Sequence, residues 1–153
     1  MNKLLLGLAL GAAIGAVAAE SIDHATRPGG LAYVSAAEVA SALRQIGAAN
    51  GDRPVVRLDP YVVLAEHRAA TQNPATKASI HKDEAELYYV IGGSATLVTG
   101  RLPEQSSGGI TQQIHAGDVL IIPENTPHWF SGVERELSYV SMHMPRSSSS
   151  SGN

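Results

Sequence analysis

The alternation of apolar and polar residues from Val55 onward predicts a protein built mainly of β-strands. Apolar residues recur there at every second position, in short runs bounded by glycine, proline or asparagine, which is typical of half-buried strands. The predicted strands are residues 55–58, 61–68, 79–81, 86–91, 95–99, 111–115, 119–122, 128–131 and 137–143. Many short strands at close spacing indicate a β-sandwich or a β-barrel.

Three stretches that lack this alternation are expected to connect strands. Residues 71–77 contain an Asn-Pro pair and predict a loop, and residues 92–94, Gly-Gly-Ser, predict a turn. Residues 100–109 are rich in glycine, proline and serine, which predicts a flexible hairpin loop.

One short helix is predicted before the strands. Ser35 and Glu38 have the spacing of a capping box, in which each side chain can bond to a backbone amide at the start of a helix. The apolar stripe of this helix consists of Val39, Leu43 and Ile46. Gly47 is suited to end it. We expect the helix to pack on the outside of the β-structure.

The first 19 residues have the pattern of a secretory signal peptide. Asn2 and Lys3 supply a small positive region, residues 4–19 are apolar and uncharged, and the alanines before Glu20 suit cleavage. A membrane anchor, the alternative, needs about 20 apolar residues, which is more than this run provides. We therefore expect export, with a periplasmic or secreted mature protein.

The rest of the chain is expected to form one domain. The full chain has 153 residues, which suffice for one domain with one hydrophobic core. Residues 20–54 are predicted to be a lead-in that contains the helix, residues 55–146 a barrel, and residues 147–153 a disordered Ser-rich tail.

Composition narrows the chemistry that the chain can perform. The formal net charge is −3 and no block of like charges occurs, which disfavours a nucleic-acid-binding surface. The chain has no cysteine, which excludes disulfides, thiol nucleophiles and thiolate ligands. Any metal must therefore be held by histidine and carboxylate.

The first of two stretches that carry candidate ligands is residues 79–93. Ser79 and His81 share a face, because residues two apart in a strand point the same way. Glu86 begins the next predicted strand and shares its face with Tyr88. His81 and Glu86 can then meet across a hairpin-like pair.

The second stretch is residues 117–128. Glycine and proline bound residues 119–122, which we expect to form a buried strand. Asn125 tolerates a positive φ and can serve in a turn where glycine would otherwise be needed. His128 begins the following strand. The two stretches can thus bring two imidazoles and one carboxylate to one point inside a barrel, which is the ligand set of a divalent-metal site with open positions.

These stretches resemble the two sequence motifs of the cupin superfamily. The first motif reads His-x-His, three or four residues, Glu, six residues, Gly; the second reads Gly, five residues, Pro-x-Gly, two residues, His. The matching positions are His81, Glu86, Gly93, Gly117, Pro123 and His128, with Asn125 in place of the glycine of the second motif.

The resemblance implies a fold and a metal site. Cupins are all-β proteins, and we expect a single antiparallel jelly-roll barrel with one short N-terminal helix. By the same resemblance, His81, Glu86 and His128 are candidate ligands of one divalent metal ion, which could be Fe, Mn, Zn or Ni.

The chain departs from the family at Ser79, which stands where the first histidine would be. A neutral hydroxyl is a poor ligand, but two histidines and one carboxylate still suffice for a three-point site. The departure could also mean that the site is weakened or lost. His143 or His67 could supply a fourth ligand.

Each candidate also has an ordinary structural interpretation. His81 and Glu86 could form a surface ion pair, and His128 could be a hydrogen-bonded histidine at the barrel mouth. His143 is expected to be structural or to support the ligands. Ser79, Tyr88 and His143 are therefore kept as residues that contact substrate or support the ligands.

Other polar residues near the motifs also have ordinary structural interpretations. Of the adjacent Tyr88 and Tyr89, only one can face the interior. His67, His115 and His24 are expected to be exposed, and Asp83 and Glu84 to be charges at a hairpin tip.

These features predict an exported metal-binding protein. The first hypothesis is an enzyme that acts on a small oxygenated organic molecule as a dioxygenase, or as a Lewis-acid lyase, isomerase or decarboxylase. The alternative is a non-catalytic barrel that binds a small ligand or a metal. Expected partners are a small-molecule substrate and, by the resemblance, a second copy in a homodimer; neither nucleic acid nor, after signal cleavage, a membrane is expected.

Overall fold

A computed structural model describes residues 30–71 and 75–146 of the chain. The predicted signal peptide, residues 20–29 of the lead-in with His24, and the Ser-rich tail lie outside the described residues. The elements are α1 (Ala36–Ile46), β1 (Gly51–Leu58), β2 (Tyr61–Thr71), β3 (Glu84–Thr99), β4 (Ile110–His115), β5 (Val119–Ile122) and β6 (His128–Pro145).

The helix α1 forms as its capping box predicts. Glu38 N donates to Ser35 Oγ at 3.3 Å, and Ser35 N donates to Glu38 Oε2 at 2.7 Å. At the other end, Gly47 N bonds to Leu43 O at 3.1 Å. The inward side of α1 packs on strands β1 and β2, where Ala42 meets Val55 and Ala65. The predicted position of the helix outside the sheet is confirmed.

The strands form one antiparallel sheet with the order β1-β2-β6-β3-β4, and β5 pairs with β3. The prediction of an all-β fold with one short helix is therefore confirmed. The inner faces of β3 and β6 supply most of the main core cluster, which consists of Tyr88, Val90, Ala95, Leu97, Ile114, Ile122, Val133, Leu137 and Tyr139. Within the described ranges, no helix has the length and apolar character needed to cross a membrane.

The turn predicted at residues 92–94 is wrong, because β3 runs through these residues without reversing. The pairing of β3 with β6 shifts register on either side of Gly92 and Gly93, so the glycines accommodate β-bulges. Gly93 has φ 81°, and a Cβ there would overlap the backbone carbonyl of Glu136. The absence of a Cβ at Gly93 thus allows the backbone of β6 to approach β3 closely.

Other strand boundaries also differ from the prediction. Residues 128–131 and 137–143 belong to the single strand β6, and residues 79–81 form only an isolated bridge, Ser79 to His128. Strand β1 begins at Gly51 and β2 continues to Thr71. The missed segments are polar or glycine-containing, so their pairing with neighbouring strands outweighs their weak local preference.

The expectation that β5 is buried is wrong for half of its residues. Val119 and Ile121 are 63% and 59% exposed, whereas Ile122 is buried. Because β5 pairs with β3 and successive side chains point to opposite faces, one side of β5 meets the core and the other remains outside.

Candidate metal site

Three segments position the predicted ligands: residues 79–81, strand β3 and the start of β6. Glu86 lies on the inner face of β3, and His128 is the first residue of β6. His81 precedes β3 and is not in the hairpin-like pair that the sequence suggested. Its segment is fixed instead by Ser79, whose N and O both bond to the backbone of His128, at 2.9 and 3.0 Å.

The turn before β6 completes this arrangement. Asn125 has φ 55°, as expected for a residue in the place of glycine, and its N donates to His81 O at 2.8 Å. The two sequence motifs are therefore joined by backbone hydrogen bonds, which set the positions of His81 and His128 relative to each other.

The predicted ligand atoms converge on one carboxylate oxygen. Nε2 of His128 lies 3.1 Å from Oε2 of Glu86, and Nε2 of His81 lies 3.3 Å from the same atom. All three ligand atoms are within 4.8 Å of one another. Two atoms bound to one metal at about 2.1 Å are about 3.0–3.4 Å apart for octahedral or tetrahedral angles. The measured separations therefore fit a divalent metal.

The hydrogen bonding of His128 supports the same conclusion. Its Nδ1 lies 3.0 Å from Thr126 O, which can only accept a hydrogen bond, so Nδ1 carries the proton. In the neutral ring, the Nε2 lone pair then faces a carboxylate oxygen of Glu86. Two facing acceptors require a proton or a cation between them. A metal ion satisfies both, and the bond to Thr126 orients the ring in the way that is usual for a metal-binding histidine.

Burial and neighbouring charges shift the pKa values of Glu86 and His81. Glu86 and His128 are both 4% exposed. Burial alone would raise the pKa of the Glu86 carboxyl, but the hydrogen bond and charge of His128, together with His143 and His81, hold this pKa below its usual value. Burial lowers the pKa of the His81 imidazole, against the opposing charge of Glu86. Both shifts favour the deprotonated forms that bind metals.

Tyr88 supports the carboxylate. Its hydroxyl donates to Glu86 Oε2 at 3.2 Å, and burial raises its pKa well above the usual value, so it remains a donor. Tyr88 is 4% exposed, whereas Tyr89 is 47% exposed. The prediction that only one of the two faces the interior is confirmed.

The structure also brings His143 to the site. His143 pairs with Glu86 across β3 and β6, and its Nε2 lies 3.4 Å from Glu86 Oε1. Its Nδ1 lies 2.9 Å from Glu84 Oε2. With His81 and Glu84, His143 forms a second group with metal-binding spacing. Glu84 is thus a residue of the site and not only a hairpin-tip charge.

Two ordinary interpretations are wrong. Glu86 is buried, so its contact with His81 is not a surface ion pair. His67 is 6% exposed, contrary to the expectation that it faces solvent. Its Nδ1 is 2.8 Å from Ala49 O and its Nε2 is 3.4 Å from Glu136 Oε2, so it lies away from the three ligands and is not the fourth one. His115 is exposed as expected.

The sequence interpretation missed a second buried carboxylate, Glu66. It is 5% exposed and lies 2.5 Å from Arg68 Nη2, and it accepts hydrogen bonds from Tyr139, at 2.9 Å, and from Ser141. Glu66 and Arg68 are two apart in a predicted strand, so the alternation could have placed both on the inner face.

Two cavities that open to solvent adjoin the site. The metal pocket, about 190 Å³, contains the candidate ligands together with Glu66 and Arg68. A larger cavity of about 330 Å³ lies beside it. Arg68, Ser79, Tyr88 and His128 line both. A molecule in the larger cavity would therefore contact residues that also line the metal pocket.

A known protein family matches the segment that contains the three candidate ligands. Residues 69–142 match the family model described as a cupin domain. No protein with a curated description matches the chain.

Solved structures with the same fold come from several sources. A Bacillus halodurans protein has a TM-score of 0.58 at 20% identity, over 82% of this chain and 86% of its own. An RmlC-like cupin from Shewanella frigidimarina has a TM-score of 0.51 at 13% identity, over 67% of this chain and 82% of its own. Iron(II) HppE in complex with substrate has a TM-score of 0.52 at 17% identity, over 62% of this chain and 54% of its own.

This chain therefore spans about half the length of HppE. The likeness to all three structures concerns the fold. The family match over residues 69–142 and the fold shared with these structures therefore identify a cupin domain in this chain.

Proposed function

We propose that this chain is an exported, metal-dependent cupin enzyme that acts on a small oxygenated organic molecule. One observation carries the proposal: Nε2 of His81 and Nε2 of His128 both lie within 3.3 Å of Glu86 Oε2 beside a cavity. Two imidazoles and one carboxylate leave coordination positions open for substrate.

The ligand set limits the metals to be tested. Histidine and carboxylate together suit Fe, Mn, Zn and Ni, and the set of two histidines and one carboxylate with open positions is typical of non-haem iron(II) oxygenases. HppE, which shares the fold, has been solved with iron(II). Iron is therefore the first metal to test.

A bound metal would supply Lewis-acid polarisation of a substrate oxygen or would bind substrate and dioxygen together. The chain's own residues would orient the reactants. Thr126 O holds the His128 ring, Tyr88 holds the Glu86 carboxylate, and the Ser79 hydroxyl, at the boundary of both cavities, is placed to bond to substrate. The reaction would be an oxidation by dioxygen, or a lyase, isomerase or decarboxylase reaction.

Elemental analysis of protein purified without chelator tests the metal. We expect about one metal ion per chain, with loss of the metal in His81→Ala and in His128→Ala. His115→Ala is the matched control, because His115 is exposed and outside the site. A screen of oxygenated acids, phenols and diketones on the loaded protein then tests turnover. Wild-type protein that takes up no metal would contradict the proposal.

Ser79 favours a second candidate function, a barrel that binds a small ligand or a metal without turning it over. The chain has lost one of the family's usual ligands, which would weaken a catalytic centre. This candidate predicts ligand binding without product in the screen. If the barrel has also lost its metal, addition of a metal would leave thermal stability unchanged, because only a ligand that binds the native state raises it.

The proposal of export has its own test. Residues 1–19 carry the signal-peptide pattern. Mass spectrometry of protein from the periplasm or culture medium is expected to find a mature chain that begins at or near Glu20. A full-length chain that remains in the cytoplasm would contradict this part of the proposal.

A further inference from the structure

The larger of the two cavities, about 330 Å³, opens to solvent and has a basic polar lining. We call it the basic cavity; its main lining residues are Asn50, Arg68, Lys77, Ser79, Phe130 and Val133. Within the described part of the chain, no aspartate or glutamate lines it. Its volume is at the small end of the range of ligand pockets, about 300–1,000 Å³.

The cavity carries one uncompensated positive charge. Arg68 forms an ion pair with Glu66 at 2.5 Å, so the Glu66 carboxylate, which lies outside the basic cavity, balances the charge of Arg68. Lys77 has no ion pair or hydrogen bond to any residue within 30–71 or 75–146. The basic cavity therefore suits a ligand with a single negative charge.

The uncommitted polar groups of the side chains are mainly hydrogen-bond donors. Three bonds use only part of the five donors of Arg68. Asn50 accepts from Ala69 N through Oδ1, which leaves its amide NH₂. The hydroxyls of Tyr88 and Tyr139 donate to Glu86 and Glu66, outside the basic cavity. An excess of donors is what an anion requires.

Part of the lining of the basic cavity is apolar. It consists of Phe130, Val133, Trp129 and the rings of Tyr88 and Tyr139. A ligand that matches both the basic and the apolar residues has an anionic end and an apolar body. It would also touch Ser79 and His128, which line the metal pocket.

We propose that the basic cavity binds the carboxylate of a small monoanionic organic acid, with Lys77 and Arg68 as the residues that determine this specificity. The acid would be the substrate, a role that rests on the proposed metal-dependent function. Its apolar body packs against Phe130 and Val133, and Ser79 hydrogen bonds to it next to the metal ligands.

A binding assay with matched neutral and anionic probes tests this inference. Acetate, butyrate, benzoate and 2-hydroxybenzoate, each with its primary amide, are titrated into the full chain with and without metal. Trp129 is the only tryptophan and lines the basic cavity, so its fluorescence reports occupancy, with calorimetry as a second readout. We expect at least one acid to bind tenfold or more tightly than its amide.

Two variants localise the effect. Lys77→Gln is expected to reduce the acid-over-amide preference about tenfold. Arg57→Gln removes one exposed positive charge outside the cavity and is expected to retain the preference. Lys77 is exposed, so neither variant removes a buried contact. Binding of no acid, equal binding of acid and amide, or a preference unchanged in Lys77→Gln would overturn the inference.

Metal content measured on the same samples separates the two proposals. A metal-loaded protein that shows no acid preference contradicts the carboxylate inference and leaves the metal-dependent function standing. A metal-free protein that retains the preference through Lys77 supports the carboxylate site and contradicts the proposed function.

Discussion

Among single residues, Glu86 is central to the site because four side chains contact its two carboxylate oxygens. Tyr88, His128 and His81 contact Oε2 at 3.1–3.3 Å, and His143 contacts Oε1 at 3.4 Å. A buried carboxylate is retained only where such partners balance its charge. The position of Glu86 on the inner face of β3 therefore fixes where a metal would bind.

Ser79 gives the sharpest prediction for a single side chain. Ser79→His would restore the first histidine of the family motif, and Ser79 already lines the metal pocket. We expect the affinity for a divalent metal to rise about tenfold or more, since an imidazole is a far better ligand than a hydroxyl. Competition with a metal-binding dye measures this affinity.

Ser107→His is the control for an added histidine, because Ser107 lies in the exposed stretch between β3 and β4. Unchanged affinity in a folded Ser79→His variant would mean that this side chain does not reach the metal.

The sequence predicts part of this site for a physical reason. His81, Glu86 and His128 lie in short segments whose turns and strands fix their direction, so spacing alone indicates them. His67 and His143 could not be assigned in this way. Their environments depend on Glu136, Ala49 and Glu84, which reach them only through the pairing of distant strands.

Among the elements, β3 contributes residues both to the candidate metal site and to the hydrophobic core. Its first half presents Glu86 and Tyr88, and its second half pairs with β4 and the start of β6. The bulges at Gly92 and Gly93 allow the single strand β3 to run through both the site and the core. Sequence patterns place turns at glycine pairs, and only the approach of Glu136 reveals a bulge here.

Gly93→Ala tests the role of this bulge. The substitution would place a Cβ against the Glu136 carbonyl at a residue with φ 81°. We expect the free energy of unfolding to fall by about 2 kcal/mol or more, as for other strained and crowded positions. Chemical denaturation measures the change.

Gly92→Ala is the matched control, since nothing lies within 4 Å of a Cβ at Gly92 and its φ is not positive. A loss of stability in Gly92→Ala equal to that in Gly93→Ala would refute the account of the bulge.

For the whole molecule, stability is expected to depend on pH through the site. The folded-state pKa of His81 is below the usual histidine value of 6.5, and that of Glu86 is below the usual glutamate value of 4.5. The unfolded chain therefore binds more protons than the folded one below each of these values. The free energy of unfolding of the metal-free protein should fall as pH drops below about 6.5, and fall further below about 4.5.

Denaturation in chelator between pH 7 and 5, in wild type and His81→Asn, measures the upper step. We expect the variant to lose less stability over this range than wild type. Equal losses in both proteins would show that His81 does not contribute to the pH dependence.

We propose that the expected homodimer forms through the outer face of β3 and β5. Tyr89 pairs with Val119 in register, Leu87 pairs with Ile121, and Tyr89, Val119 and Ile121 are 47–63% exposed. Contiguous exposed apolar residues favour association. We predict a light-scattering mass of two chains for wild type and of one chain for Ile121→Lys. A wild-type mass of one chain would contradict the prediction.

We propose that imidazole nitrogens and a carboxylate oxygen bind one metal ion at the candidate site. X-ray absorption spectroscopy at the metal edge of the iron-loaded protein tests this proposal most directly. We expect two or three imidazole nitrogens and at least one oxygen at about 2.0–2.2 Å, with a third imidazole if His143 binds. A first shell of oxygen alone, without histidine scattering, would contradict it.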